Sequence, residues 1–192
     1  MTELVTQHAS GGYILEELHV GMTAEKIIPV TEQRIQQFAE ASDDFNPVHM
    51  DEAFASKTAY RGRIAHGLLS ASFGSAVVGT ILPGAGAIYI SQTLQFHAPV
   101  RIGDDVVVRI SVVSVDPESA RVELDCEGFV DGKLIMAGVA TVRVPRRSKP
   151  ARDCGPGRWS KSSPTGATCP TGSAVPPSPS APLTASIAAI RR

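Results

Sequence analysis

The sequence predicts an α+β domain in which a curved antiparallel sheet wraps a buried central helix. Three observations carry this expectation. Residues 67–82 are almost entirely apolar or small, which marks a helix buried on nearly every side. After Pro83-Gly84 come four runs rich in Val and Ile with stretches of alternation, at 87–98, 105–115, 121–130 and 133–144, the pattern of long strands. Asp131-Gly132 separates the last two, and that pair has the chemistry of a two-residue hairpin turn.

The N-terminal elements follow from local punctuation. Residues 24–30 read as a short strand, and Thr31 is placed to cap a helix running through residue 41. Ile35, Phe38 and Ala39 are spaced to bury one face of that helix. Residues 42–47 break it and open a loop, with Asn46-Pro47 as the turn signal. A short surface helix is expected over 50–58, followed by the Gly- and Arg-containing loop 60–64 that leads into the apolar helix.

Composition bounds the class. The chain has 192 residues, 43% hydrophobic and 19% charged, enough for one buried core. Its formal net charge of -1 hides a split. Residues 1–145 hold 10 Lys+Arg against 18 Asp+Glu, a net -8, and 146–192 hold 8 against 1, a net +7. The boundary coincides with a shift to Ser, Pro, Gly, Thr and Ala that brings eight of the 14 prolines. Such a segment buries too little apolar surface to offset its ordering entropy. We therefore expect a domain over 1–145 and a basic tail over 146–192, disordered from about residue 149. The apolar run 183–190 reads as part of that solvated tail rather than as a docking helix.

The same features exclude several functions. The tail's only aromatic is Trp159, so it offers nucleic acid no stacking surface, and no nucleic-acid partner is expected. The cysteines Cys126, Cys154 and Cys169 form no CxxC or Cys/His cluster, so neither a metal nor another cofactor is expected. Residues 1–13 lack the apolar core of a signal peptide, and no run approaches the length of a membrane span. A cytoplasmic protein with reduced thiols, not bound to a membrane, is the expectation. Gly84-Ala85-Gly86 lacks the spacing of a nucleotide-binding loop, and no serine elbow or Cys-His nucleophile is visible.

The informative stretch is Asp43-Asp44-Phe45-Asn46-Pro47-Val48-His49, followed by Ala65-His66-Gly67. An acid and a base five residues apart across an Asn-Pro turn suit concerted proton transfer. In isolation, Asp44 would sooner read as an Asx cap and His49 as a hydrogen-bonded surface residue. The string 44–49 closely resembles the D-x-N-P-x-H signature of the MaoC-like, R-specific enoyl-CoA hydratases. His66-Gly67, the run 91–96, Pro99-Val100 and Gly103-Asp104 are similar to the family's as well, and the resemblance spans roughly residues 13–145. It implies a hot-dog fold, a homodimer, and an acyl-thioester site built by both subunits, with acyl-CoA or an acyl carrier protein as substrate.

Hydrating a conjugated thioester requires a water deprotonated as it attacks the β-carbon, a proton delivered to the α-carbon, and stabilisation of an enolate-like oxygen. His49 suits the base and Asp44 the group that positions water and relays the proton. The N–H of Gly67, at the start of the apolar helix, suits the oxyanion, and a residue without a side chain lets substrate approach. Asn46 holds the turn and helps orient the pair. The resemblance places Ser75 along the helix that lines the site, and His66 reads first as an anchor of its loop. His8, His19 and His97 read as structural, and Asp43 as solvated. The same pair could run in reverse on an acyl carrier protein, dehydrating a 3-hydroxyacyl group. A non-catalytic acyl-binding subunit and an interaction module recruited through the tail are the alternatives from other classes.

Overall fold

A computed structural model describes residues 2–147; the tail expected to be disordered lies, apart from Arg146 and Arg147, outside the described residues. The elements in chain order are β1 (Glu3–Leu4), a 3-10 turn (Leu15–Glu17), β2 (Met22–Pro29), α1 (Glu32–Ser42), α2 (Pro47–Met50), α3 (Glu52–Ala55), α4 (Gly67–Thr80), β3 (Ile88–Gln92), β4 (Gln95–Phe96), β5 (Asp105–Asp116), β6 (Arg121–Val130) and β7 (Lys133–Arg143). The strands form one sheet in the order β1-β2-β5-β6-β7-β3, with β4 also paired to β7. Among the described residues only β1 and β2 pair in parallel.

The core forms where the strand period meets the apolar helix. On β5 the alternate residues Val106, Val108, Ile110 and Val112 are buried, as are Val122, Leu124 and Cys126 on β6 and Ala140 and Val142 on β7. These belong to one cluster with Leu69, Phe73, Val77 and Val78 of α4, which packs against β5, β6 and β2. Each buried aliphatic side chain contributes about 1.5–3 kcal/mol, so the helix is held to the sheet by its apolar face rather than by its propensity. The β6–β7 turn is the expected two-residue hairpin, with positive φ at Asp131 and Gly132, as a type I′ turn requires.

Three expectations are corrected. The apolar helix ends at Thr80 rather than 82, and it is not buried all round: Leu68 is 59% exposed, and Ser72, Ser75 and Gly79 are exposed. Small side chains on that face hide its direction from any hydrophobic pattern. The run 87–98 is two strands instead of one, broken where the backbone of Thr93 and Leu94 crosses Gly138 so closely that no Cβ would fit there. Around 50–58 the chain makes two single turns, α2 and α3, divided by the extended Asp51. Its side chain accepts from Phe54 N–H at 3.1 Å and starts the second turn.

Candidate active site

The site begins at the end of α1, whose cap Thr31 accepts from Arg34 N–H at 3.2 Å as expected. Ile35 and Ala39 are fully buried, and Phe38 packs against the core. The helix terminates at Asp43 in the left-handed region, φ 58°, which aspartate tolerates better than most residues. Asp43 therefore turns the chain, and Asp44, itself exposed, is the carboxylate placed near His49 and His66. Two Asx turns follow in succession: Asp44 Oδ1 accepts from Asn46 N–H and Asn46 Oδ1 from Val48 N–H, each at 3.2 Å. Pro47, at the first position of α2, pre-sets the backbone for helix. His49 N–H donates to Asn46 O at 2.9 Å, so Asn46 holds both ends of the turn.

This turn brings an acid and two imidazoles together. One ligand atom each from Asp44, His49 and His66 lies within 4.8 Å of the others, a separation that one water spans with hydrogen bonds of about 2.8 Å. His49 Nδ1 is 2.9 Å from Ile64 O; a carbonyl only accepts, so Nδ1 carries the proton and Nε2 keeps a lone pair. The half-buried ring has its pKa lowered, first by desolvation and further by His66 and Arg63, while the Ile64 carbonyl and the Asp44 carboxylate act in the opposite sense. His49 is thus held as a neutral base.

His66 is 2% exposed. Its Nε2–H donates to Asp44 O at 2.9 Å, and its ring stacks at 4.0 Å on His49 and 5.1 Å from Phe38. The anchoring role expected of it is what these contacts describe. With His49 Nδ1 and His66 Nε2 committed to carbonyls and His66 Nδ1 buried, an incoming metal ion would meet one imidazole nitrogen and one carboxylate. That is fewer than the three protein ligands of a catalytic zinc.

His49 and Gly67 line a cavity of about 400 Å³ with Tyr60, Ile64, Ser70 and Phe96. Gly67 opens α4, and among the described residues its N–H has no partner, leaving a donor at the positive end of a 14-residue helix. A Cβ on Gly67 would come within 3.1 Å of the Phe96 ring, so glycine keeps this passage open. Ser75 lies elsewhere: it is exposed on the outer face of α4 and does not line the cavity.

Two residues near the site escape sequence reasoning. Arg63 donates its Nε–H to His49 O at 2.6 Å and its guanidinium fork to both Glu32 oxygens at 2.8 and 3.1 Å, tying α2 to the start of α1. The loop 60–64 is visible in the sequence, but which of its arginines turns inward is not. Ser70 is buried with its hydroxyl unpaired; nothing in the apolar run distinguishes it from Ser72, which bonds back to Leu69 O at 2.6 Å.

Comparison with known proteins places the chain in a family. The chain is 46% identical over 134 residues to a 3-hydroxybutyryl-CoA dehydratase of Methylorubrum extorquens, covering 70% of this chain and 85% of that protein. It is 45% identical over 135 residues to an (R)-specific enoyl-CoA hydratase of Rhodospirillum rubrum, covering 70% and 94%. Among solved structures, an R-hydratase of Pseudomonas aeruginosa in the unliganded form superposes with a TM-score of 0.68 at 41% identity, covering 71% of this chain and 88% of that one. These are hot-dog proteins, and the sheet around α4 is the hot-dog fold. Residues 17–126, which include Asp44, His49, His66 and Gly67, match the family described as MaoC like domain, and the chain belongs to that family.

Proposed function

We propose that this chain hydrates trans-2-enoyl-CoA to (R)-3-hydroxyacyl-CoA, reversibly, with Asp44, His49 and the Gly67 N–H as its working groups. The observation that carries this reading is the free Nε2 of a neutral His49, close to the Asp44 carboxylate and in one cavity with an unpaired helix N–H. A water held between Asp44 and His49 loses a proton to Nε2 as its oxygen bonds to the β-carbon. The π electrons move toward the thioester oxygen, where Gly67 N–H offsets the developing charge. Collapse of this enolate takes up at the α-carbon the proton that His49 Nε2 received, relayed through Asp44, so that both side chains return to their starting states and one water is added with nothing else consumed. Asp44 Oδ1 is engaged by the Asx turn, leaving Oδ2 for this task.

We further propose that two copies pair, covering the outer face of α4 and the edge strand β3. Ile88 and Ile90 of that strand are 55% and 46% exposed, and Leu68 on the helix is 59% exposed. Ser75 on the same helix face would then reach the shared site. Among the described residues no helix is long and apolar enough to cross a membrane, and Cys126 is a free buried thiol.

The test is the loss of conjugated-thioester absorbance on mixing with crotonyl-CoA. Wild type is expected to turn over, and Asp44→Asn and His49→Ala, each confirmed folded, to lose roughly three or more orders of magnitude in kcat/KM. No turnover of crotonyl-CoA or of longer enoyl-CoAs would sink the CoA reading and turn attention to a carrier-protein substrate or a non-catalytic subunit.

A further inference from the structure

Among the described residues two buried side-chain polar atoms have no partner, His66 Nδ1 and Ser70 Oγ. They sit at the head of the same helix: His66 caps α4, and Ser70 follows four residues later, the spacing at which helical neighbours meet. A serine side chain leans toward the helix N-terminus, which carries its hydroxyl toward the cap. Both residues are 2% exposed, and leaving two polar groups unpaired at such depth is unfavourable. Ser72 and Thr80 on this helix satisfy their hydroxyls on Leu69 O and Ala76 O, both at 2.6 Å. Ser70 does neither.

The two orphans are complementary. His66 gives its Nε2–H to the Asp44 carbonyl at 2.9 Å, so in the neutral ring Nδ1 has a lone pair and needs a donor, while Ser70 has a hydroxyl proton and needs an acceptor. We propose that Ser70 is a positioning residue for the acid/base pair: turned about χ1, its hydroxyl donates to His66 Nδ1. The resulting chain runs from Ser70 through the imidazole to the Asp44 backbone. It reinforces the tautomer that grips Asp44 and steadies the ring whose centre lies 4.0 Å from that of His49, so one hydroxyl in the cavity wall orders both working side chains through His66. The hydrogen bond is inferred from the burial, spacing and complementary needs of the two unpaired atoms; its effect on turnover rests on the hydration reading above.

The experiment is nitrogen NMR of full-length protein labelled with 15N at histidine, with the His66 signals assigned through His66→Gln. It compares wild type with Ser70→Ala and Ser70→Thr. In wild type, Nδ1 of His66 is expected to be the unprotonated nitrogen and to lie upfield of a free one because it accepts a hydrogen bond. It should move downfield in Ser70→Ala and return in Ser70→Thr, which keeps the hydroxyl. With crotonyl-CoA, Ser70→Ala should lose about five- to tenfold in kcat with KM little changed, and Ser70→Thr should recover most of it. A wild-type Nδ1 at the free position, a protonated Nδ1, or a signal indifferent to Ser70→Ala would each overturn the proposal. If Ser70→Ala does not fold, the wild-type Nδ1 position decides by itself. A wild type inactive on every enoyl thioester would remove the hydration reading while the spectrum still decided the hydrogen bond.

Discussion

His49 shows how a single contact selects a chemical role. Nδ1–H of His49 donates to the Ile64 carbonyl, which leaves Nε2 as the ring nitrogen able to accept a proton, and desolvation is the main cause lowering the ring's pKa below the ordinary histidine value of about 6.5. The acidic limb of kcat/KM should therefore lie below pH 6.5, read from a pH series with crotonyl-CoA; a limb at or above that value would show that the base is not held neutral. The sign for stability follows. Between the lowered pKa and the ordinary value the unfolded chain binds more protons than the folded one, so stability rises with pH across this window and is lost as pH falls through it. At this scale the sequence made Asp44, His49 and Gly67 legible, because an Asx–Pro turn and a helix start are local. It set Asp44 above Asp43 through the family resemblance, a ranking for which the left-handed φ of Asp43 gives a local reason, but it gave no sign that Ser70 rather than Ser72 turns inward.

Among the elements, the strands were most readable where burial alternates. The expected bounds of β6 coincide with those observed, and those of β5 and β7 differ by one residue. The division of β3 from β4 was not readable, because it depends on a contact between chain segments far apart in sequence. Thr93 N–H donates to Val139 O and Val139 N–H to Thr93 Oγ1, both at 2.9 Å, and that crossing sits on Gly138. A methyl at position 138 must push the Thr93–Leu94 backbone away. Gly138→Ala is accordingly expected to destabilise the protein by about 2–3 kcal/mol, measured as a lowered urea midpoint with an unchanged slope. It should also weaken activity, since Phe96 of β4 lines the cavity beside Gly67; wild-type stability would mean that the crossing is not tight.

For the whole molecule, the acidic 1–145 and the basic 146–192 pose the question of what the tail contributes. Arg146 donates to Pro117 O and Glu118 O, and Arg147 N–H to Glu16, so the cut that tests the tail should spare both. We expect a variant lacking 148–192 to keep wild-type kcat/KM on crotonyl-CoA and to sediment as a dimer. Loss of either would make the tail part of the working unit and overturn the expected boundary. The uncovered face of α4 and the edge strand β3 are whole-molecule features too, since small residues on a helix do not announce in sequence which neighbours they await.

The sequence by itself determined the α+β class, the strand run after Pro83-Gly84, the central helix and the acid–base signature. Each of these rests on residue types a few positions apart, and periodicity, capping and turn chemistry act over that range. Tertiary structure decided the rest: the His49 tautomer set by Ile64 O, the Arg63 clamp onto Glu32, the pairing of Gly67 with Phe96 across the cavity, and the burial of both His66 and Ser70. These depend on which distant segments pack together, and the free energy that settles such contacts comes from burial and hydrogen bonds that exist only once the core has formed.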